Sequence, residues 1–249
     1  MTVAALALMA GYRQGWFRAN PSTTGLLRCG FESTEGYQAG QSLIGRDGWM
    51  RGVWKGQLSN GGEGVAADLF PGSAQQAFIG GVAGGKTPGV HASLRRNLLF
   101  SPKPDGGAVV EMAWRQRVTD SSDGVRDNFE WLFNNQRGQL LGGLAFNNAT
   151  CRIMSRRPDN SLTDTGLTFE RGRVYPVKLR LDFQAGTWTA ALGESMLGPF
   201  SMADGDPAMN LGHLSATWWS VANNAAAPDG PVTGDNLMAF DDLEISVRD

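Results

Sequence analysis

The chain has 249 residues and a formal net charge of −2, which excludes a nucleic-acid partner recruited by bulk positive charge. Apolar residues make up 41%, with 8 Trp and 12 Phe, so the chain is not disordered and can bury a substantial core. Charged residues are only 18% while Gly fills 34 positions, a balance that suits many strands joined by turns.

Residues 1–27 read as an N-terminal extension. "TVAALALMAG" has the length of a signal-peptide core but lacks a basic n-region and a small-x-small cleavage site. A signal-like segment and an ordinary short element both stay open, and the run is too short to span a bilayer. Regular patterning starts at "LLRCGFES", so a single domain is assigned to residues 28–249. Glu32 and Glu35 form an acidic cluster at its start. The stretch 34–105 is glycine-rich, with short strands in "QSLIGRDGWMRGVWKG", which carries Trp49 and Trp54, and in "AQQAFIGGVAG". Gly80 to Thr87 meets the spacing of a phosphate-binding loop. Pro88 stands where the helix should begin and no strand–helix–strand pattern surrounds it, so that chemistry is excluded.

From about residue 105 onward the pattern alternates with a period of two. Val110, Met112, Trp114 and Val118 share one face, against Glu111, Arg115 and Arg117. Phe129, Trp131 and Phe133 oppose Glu130 and Leu132. "QLLGGLAF" and "TCRIMS" add two short strands. Val177, Leu179, Leu181 and Phe183 oppose Lys178, Arg180 and Asp182, and "GTWTAAL" returns as the second strand of a hairpin. "LGHLSATWW" and "NLMAFDDLEISV" close the chain. "TDSSDG", "NNQRG" and "ADGDP" are turn sequences, and no segment shows capped helical periodicity. This predicts an all-β fold, an antiparallel two-sheet sandwich of the jelly-roll type. An up-and-down barrel is the alternative; a propeller is excluded because no repeat exists.

Catalytic patterns are thin. His91 and His213 have no Ser or Cys arrangement beside them that suggests a nucleophile and base. Glycosidase chemistry needs two carboxylates about 5–9.5 Å apart, and no Glu-x-Asp-x-x-Glu run occurs. Glu111 and Glu130 point away from the apolar faces, where they line a groove or simply meet solvent. Binding has more support. Trp218 and Trp219 are adjacent on a strand, so they face opposite sides; one joins the core and the other is left outside. An exposed indole stacks on the C–H face of a sugar. Trp49, Trp54, Arg115 and Arg180 are further candidates for a glycan surface. Cys29 and Cys151 form either one bridge or two separate thiols.

Asp241 shares the parity of Leu237, Ala239, Leu243, Ile245 and Val247, which places a carboxylate among core positions. Such a group needs cations or donors. A calcium ion held by oxygen ligands answers that need, with Glu32, Asp235, Asn236 and Asp241 as candidate ligands. A capping role or an arginine partner for Asp241 is the alternative.

"CGFES", "GYQAGQSLIGRDGW" and "GDNLMAFDDLEISV" together resemble the concanavalin A-like lectin/glucanase superfamily, within it laminin-G-like and MAM-like domains of bacterial exported proteins. The resemblance covers roughly residues 28–248 and implies a jelly roll. It also implies a structural calcium near paired terminal strands, with Glu32 and Asp241 at the matching positions. The MAM-type cysteines and the glucanase carboxylates are missing. This favours a non-catalytic carbohydrate-binding or adhesive module, secreted or at the cell surface. The alternatives are a glycoside hydrolase or lyase using Glu111, Glu130 or His91, and a structural subunit of a surface assembly.

Overall fold

Alternation of apolar and polar residues builds strands here because each strand must bury one face and wet the other. The computed structural model describes residues 23–54, 57–58, 62–81, 91–102, 109–122, 124–202, 209–219 and 234–248. Most of the N-terminal extension, Lys86–Thr87 of the glycine-rich loop, and the side chains of Trp54 and His91 lie outside the described residues.

The strands run β1 (Thr23–Cys29), β2 (Trp49–Arg51), β3 (Val53–Trp54), β4 (Gln57–Leu58), β5 (Glu63–Ala67), β6 (Gln75–Gly80), β7 (His91–Phe100), β8 (Val109–Val118) and β9 (Asn128–Asn134). They continue as β10 (Leu140–Asn147), β11 (Arg152–Arg156), β12 (Leu162–Thr168), β13 (Val174–Asp182), β14 (Thr187–Leu192), β15 (Ser195–Ser201), β16 (Leu211–Trp219) and β17 (Leu237–Arg248). The described residues contain no α-helix, only a short 3-10 turn at Ser33–Glu35.

Two antiparallel sheets pack as a jelly-roll sandwich. One has the order β15-β14-β13-β8-β17-β6-β5, with β1 also paired to β17; the other runs β12-β11-β10-β9-β16-β7-β2. The sheet takes in Thr23–Leu27, so the domain begins earlier than the patterning at Leu26–Ser33 suggests. Between the sheets lies one apolar core. Val110, Met112 and Trp114 of β8, Val177, Leu179 and Leu181 of β13, and Phe129, Trp131 and Phe133 of β9 are all buried in it, as the alternation predicts.

Trp49 is part of this core, packed near Phe31 and Phe240 with ring centroids 6.1 and 6.2 Å apart. At 1% exposure it cannot reach a ligand, which corrects its assignment to a glycan surface. Cys29 and Cys151 are both free thiols. Cys29 donates to the Tyr37 hydroxyl at 3.2 Å, and burial pushes its pKa up to about 11.

One buried polar side chain ties the sheets together. Gln116 continues the inward face of β8 where an apolar residue is expected. Its Oε1 accepts the indole N–H of Trp114 at 3.0 Å and of Trp131, on the opposite sheet, at 2.8 Å. Replacing Gln116 with Leu strands two buried indole donors, each worth about 1–3 kcal/mol when left unmade. Gln116→Leu should therefore lower the unfolding free energy by roughly 2–4 kcal/mol, read as a lower urea midpoint at unchanged slope.

Candidate functional site

The outer face of the seven-stranded sheet carries two adjoining hollows. They follow from strand register. On β16, His213, Ser215, Thr217 and Trp219 share the outward parity, while Leu214, Ala216 and Trp218 point into the core. Ser215 is paired with Arg95 of β7 on one side and Leu132 of β9 on the other. Thr217 is paired with Ser93 and Glu130. Ser93, Arg95, Leu132, His213, Ser215 and Thr217, with Gly52, Asn134, Gly138 and Trp219, line a cavity of about 210 Å³. A second hollow of about 420 Å³ shares Leu132, Asn134 and Gly138 and extends toward Pro158 and Asn160.

The tryptophan doublet divides as its adjacency requires. Trp218 is fully buried and donates its indole N–H to Asp127 Oδ2 at 2.9 Å, so its place among ligand-binding candidates is corrected to a core anchor. Trp219 is half-buried and lines the cavity.

Glu130 faces the same side, buried to 3% exposure. Its carboxylate is ion-paired with the Arg156 guanidinium. Burial pushes its pKa upward, against the charge and hydrogen bond of Arg156 and a hydrogen bond from Trp219. Burial pushes His213 down to about 4, and the positive charge of Arg95 acts in the same direction. His213 is thus a neutral imidazole at neutral pH. Ser93 and Thr217 lie 3.3 Å apart, hydroxyl to hydroxyl.

Glu111 lies on the outer face of the other sheet, ion-paired with Arg248 at 2.7 Å and opposite Arg180 in register. Arg180 is on that same face, paired with Asp182 at 3.2 Å. Glu111 and Glu130 sit on opposite outer faces of a two-layer sandwich, so they cannot flank one glycosidic bond.

A second constellation lies where β17 meets β8. Asp241 is opposite Arg115, but the next register pair is Glu244 with Ala113. One extra residue is therefore inserted in β17, a bulge, with Asp242 in the left-handed region at φ 51°. The bulge reverses parity. Met238 and Phe240 face the core before it, and Leu243, Ile245 and Val247 after it. Asp241 thus points to the outer face, which corrects its placement among core positions. It is still fully buried, because residues 69–73 cross over it: Arg115 donates to the Pro71 carbonyl at 3.3 Å and packs over Phe70, its guanidinium carbon 5.2 Å from the ring centroid. Arg115 pairs with Asp241 at 2.8 Å and with Asp242 at 2.7 Å. That engagement corrects its assignment to a glycan surface.

Glu32 reaches the same place. Its Oε1 accepts the Ser73 hydroxyl at 2.8 Å and the Ala74 N–H at 3.1 Å, and Ser73 also hydrogen-bonds to Asp241. Glu35 accepts the Gly30 N–H at 2.8 Å. A Cβ on Gly30 would lie 3.5 Å from Glu35 Oε2 and 3.8 Å from Asp242 Oδ1. The other two candidate ligands lie elsewhere. Asp235 accepts the Ser121 hydroxyl at 2.9 Å and the Ser122 N–H at 2.8 Å. Asn236 accepts from the Asp127 N–H and Asn148 Nδ2, each at 3.0 Å, and donates to the Val125 carbonyl at 3.0 Å. Their partners, Ser121, Ser122, Asp127 and Asn148, are not shared with Glu32 or Asp241, which corrects their grouping with that pair. Among the described residues, no group of three or more His, Cys, Asp or Glu side chains is arranged to hold a metal ion.

No protein-family model and no curated protein matches the sequence. Solved structures share the fold. A carbohydrate esterase from Shiga toxin-encoding bacteriophage phi24B superposes with a TM-score of 0.55 at 13% identity, over 91% of this chain and 100% of that one. Arcelin-5, a lectin-like defense protein from Phaseolus vulgaris, gives 0.54 at 9% identity, over 91% of this chain and 99% of that one. A sialidase gives 0.54 at 9% identity over 80% of this chain, which spans 17% of the sialidase. These likenesses establish the sandwich fold.

Asp241 yields a pH test. Its pKa is pushed up to about 6, first by burial and also by the charge of Asp242; Ser73, the Asp242 N–H and Arg115 pull the other way. An unfolded aspartate titrates near 3.9. Between about pH 4 and about pH 6 the folded state holds the extra proton, so this group's contribution to stability falls as pH rises. In calcium-free buffer, Asp241→Asn should remove that downward component, making the urea midpoint flatter across this window than in the unaltered protein.

Proposed function

We propose that this protein is a glycan-binding β-sandwich whose site is the outer face of the seven-stranded sheet around Trp219. The carrying observation is a half-buried indole fixed on a central strand and bordering a hollow with hydroxyl, amide and imidazole groups. Sugar rings present apolar C–H faces that stack on an indole, and hydroxyls that pair with Ser, Thr and Asn. The adjoining second hollow suits a ligand longer than one sugar unit. Structural neighbours named for carbohydrate activity or lectin-like character support the reading at the level of fold. Such a role places the chain at the cell surface or outside the cell.

Binding without catalysis is the favoured form. Glu130 is a buried carboxylate already bound to Arg156, and among the described residues no carboxylate lines either hollow. Trp219→Ala should weaken binding to a captured polysaccharide about tenfold or more in affinity electrophoresis, with the melting temperature little changed. Equal retention of both proteins would remove Trp219 from the site.

The proposal includes a structural calcium ion at Glu32 and Asp241, with the Ser73 hydroxyl between them as a further oxygen donor. Charge supports it: Arg115 pairs with both Asp241 and Asp242, and Glu32 adds a further carboxylate through the Ser73 hydroxyl that it shares with Asp241. A divalent cation there would neutralise the excess and fasten the β1–β17 pair to the segment around Ser73. Chelation should then lower the melting temperature by roughly 5–10 °C, and Asp241→Ala should abolish the dependence on chelator. If chelation changes nothing, Arg115 alone holds the cluster.

A further inference from the structure

Arg95 is placed where an arginine is hard to leave alone. It stands on β7 between Met50 of β2 and Ser215 of β16 in the ladder, and it lines the cavity. Among the described residues its buried Nε has no hydrogen-bond partner, and one terminal nitrogen reaches the Met50 sulfur at 3.9 Å, a weak acceptor. Arg115, Arg126, Arg152, Arg156, Arg171, Arg173, Arg180 and Arg248 all pair with carboxylates. Among the described residues no carboxylate pairs with Arg95.

Among the described residues the surroundings do not supply the missing charge. The cavity wall contains Ser93, Asn134, Ser215 and Thr217, all neutral, and His213, whose imidazole is kept neutral by burial and by Arg95 itself. The nearest acidic group in the ladder, Glu130, is neutralised by Arg156. The hollow beside Trp219 therefore carries a net positive charge concentrated on one planar fork of donors. A partly desolvated guanidinium with unmade hydrogen bonds favours an anionic acceptor, and its geometry matches a carboxylate through two parallel bonds.

We infer that the glycan held on this face is acidic, and that Arg95 receives the carboxylate of a uronic-acid unit stacked beside Trp219. This rests on the glycan-binding reading above. Arg95 sets which glycan is held, while Trp219 contributes affinity for sugar rings of any charge. Neutral His213 and the Ser215 hydroxyl are placed to hydrogen-bond the same carboxylate or the neighbouring ring hydroxyls.

The test is equilibrium binding of the full chain to polygalacturonate, to the same polymer fully methyl-esterified, to a neutral glucan and to dextran sulfate. Polygalacturonate should bind at least tenfold more tightly than its ester, and the difference should shrink with added salt. Arg95→Gln should erase that difference while leaving residual binding to the ester. Arg180→Gln, with the same charge change on the other sheet, should leave it intact. Equal binding of polymer and ester by the unaltered protein would overturn the carboxylate assignment while keeping the glycan reading. Preference for dextran sulfate over polygalacturonate would overturn it in favour of sulfate. If none of the four polymers binds, both the assignment and the glycan reading fall. The free-acid and ester comparison uses the unaltered protein, so it decides the matter even where Arg95→Gln does not fold.

Discussion

A buried carboxylate facing a guanidinium marks the point on which this sandwich turns. β17 lies at the centre of its sheet, and it changes partner along its length: Leu237–Phe240 pair with β6, and Leu243–Arg248 pair with β1. Asp241 and Asp242 occupy the change-over. The inserted residue re-aims the strand so that apolar side chains face the core on both sides of it. Without the bulge, one half of β17 would present its apolar set to the wrong face. Arg115 fixes the bulge by pairing with both aspartates from the neighbouring strand. Removing one partner of such a pair costs about 3–5 kcal/mol, because the other charge stays buried and uncompensated.

That arrangement also decides which surface is open. Arg115 and Arg117 donate to the carbonyls of Pro71 and Leu69, so the segment around Phe70 is drawn across the outer face of the eight-stranded sheet. The side chains beneath it, Ala239 and Asp241, are fully buried. On the seven-stranded sheet the corresponding central positions are Ser215, Thr217, Leu132 and Arg95, which border a hollow. The basic residues of β8 and β13, although alternating like a solvated surface, are largely spent on holding the chain together. Arg95 of β7 is not.

The fold class was legible because its signal is repeated in nearly every strand. Val177, Leu179 and Leu181 alternate without interruption, and one misjudged position would not alter the reading. Asp241 was misread for the opposite reason. A bulge is a single inserted residue, and parity counted across it is wrong from that point onward. The left-handed Asp242 leaves only the doublet "DD" in the sequence as a trace. Trp49 was misassigned because its glycine-rich surroundings carry no periodicity from which burial can be read. Strand parity alone divided Trp218 from Trp219 correctly without saying which was which. The pairing of Trp218 with Asp127, 91 positions away, decides it, and no local pattern encodes that contact. The outward row of His213, Ser215 and Thr217 was present in "HLSATWW". Its meaning depended on knowing that Arg95 and Glu130 lie on either side, which is a matter of strand order.

The doublet explains how a rigidly held outward indole is obtained from a simple strand. Trp218 is locked by core packing and by its hydrogen bond to Asp127. Its backbone neighbour inherits that fixed position but points the opposite way, as the pleat requires. Trp219 is therefore held on a central strand instead of a loop, and little conformational freedom is lost when a ring stacks on it. Glu130, next to it, serves the same end. Bound to Arg156 and close to the indole, it restrains the ring edge without contributing net charge to the hollow. Among the described residues that line the hollow, the positive charge is that of Arg95. In the proposed site Trp219 would supply a surface common to all sugars, and the sign of the charge beside it would supply the discrimination.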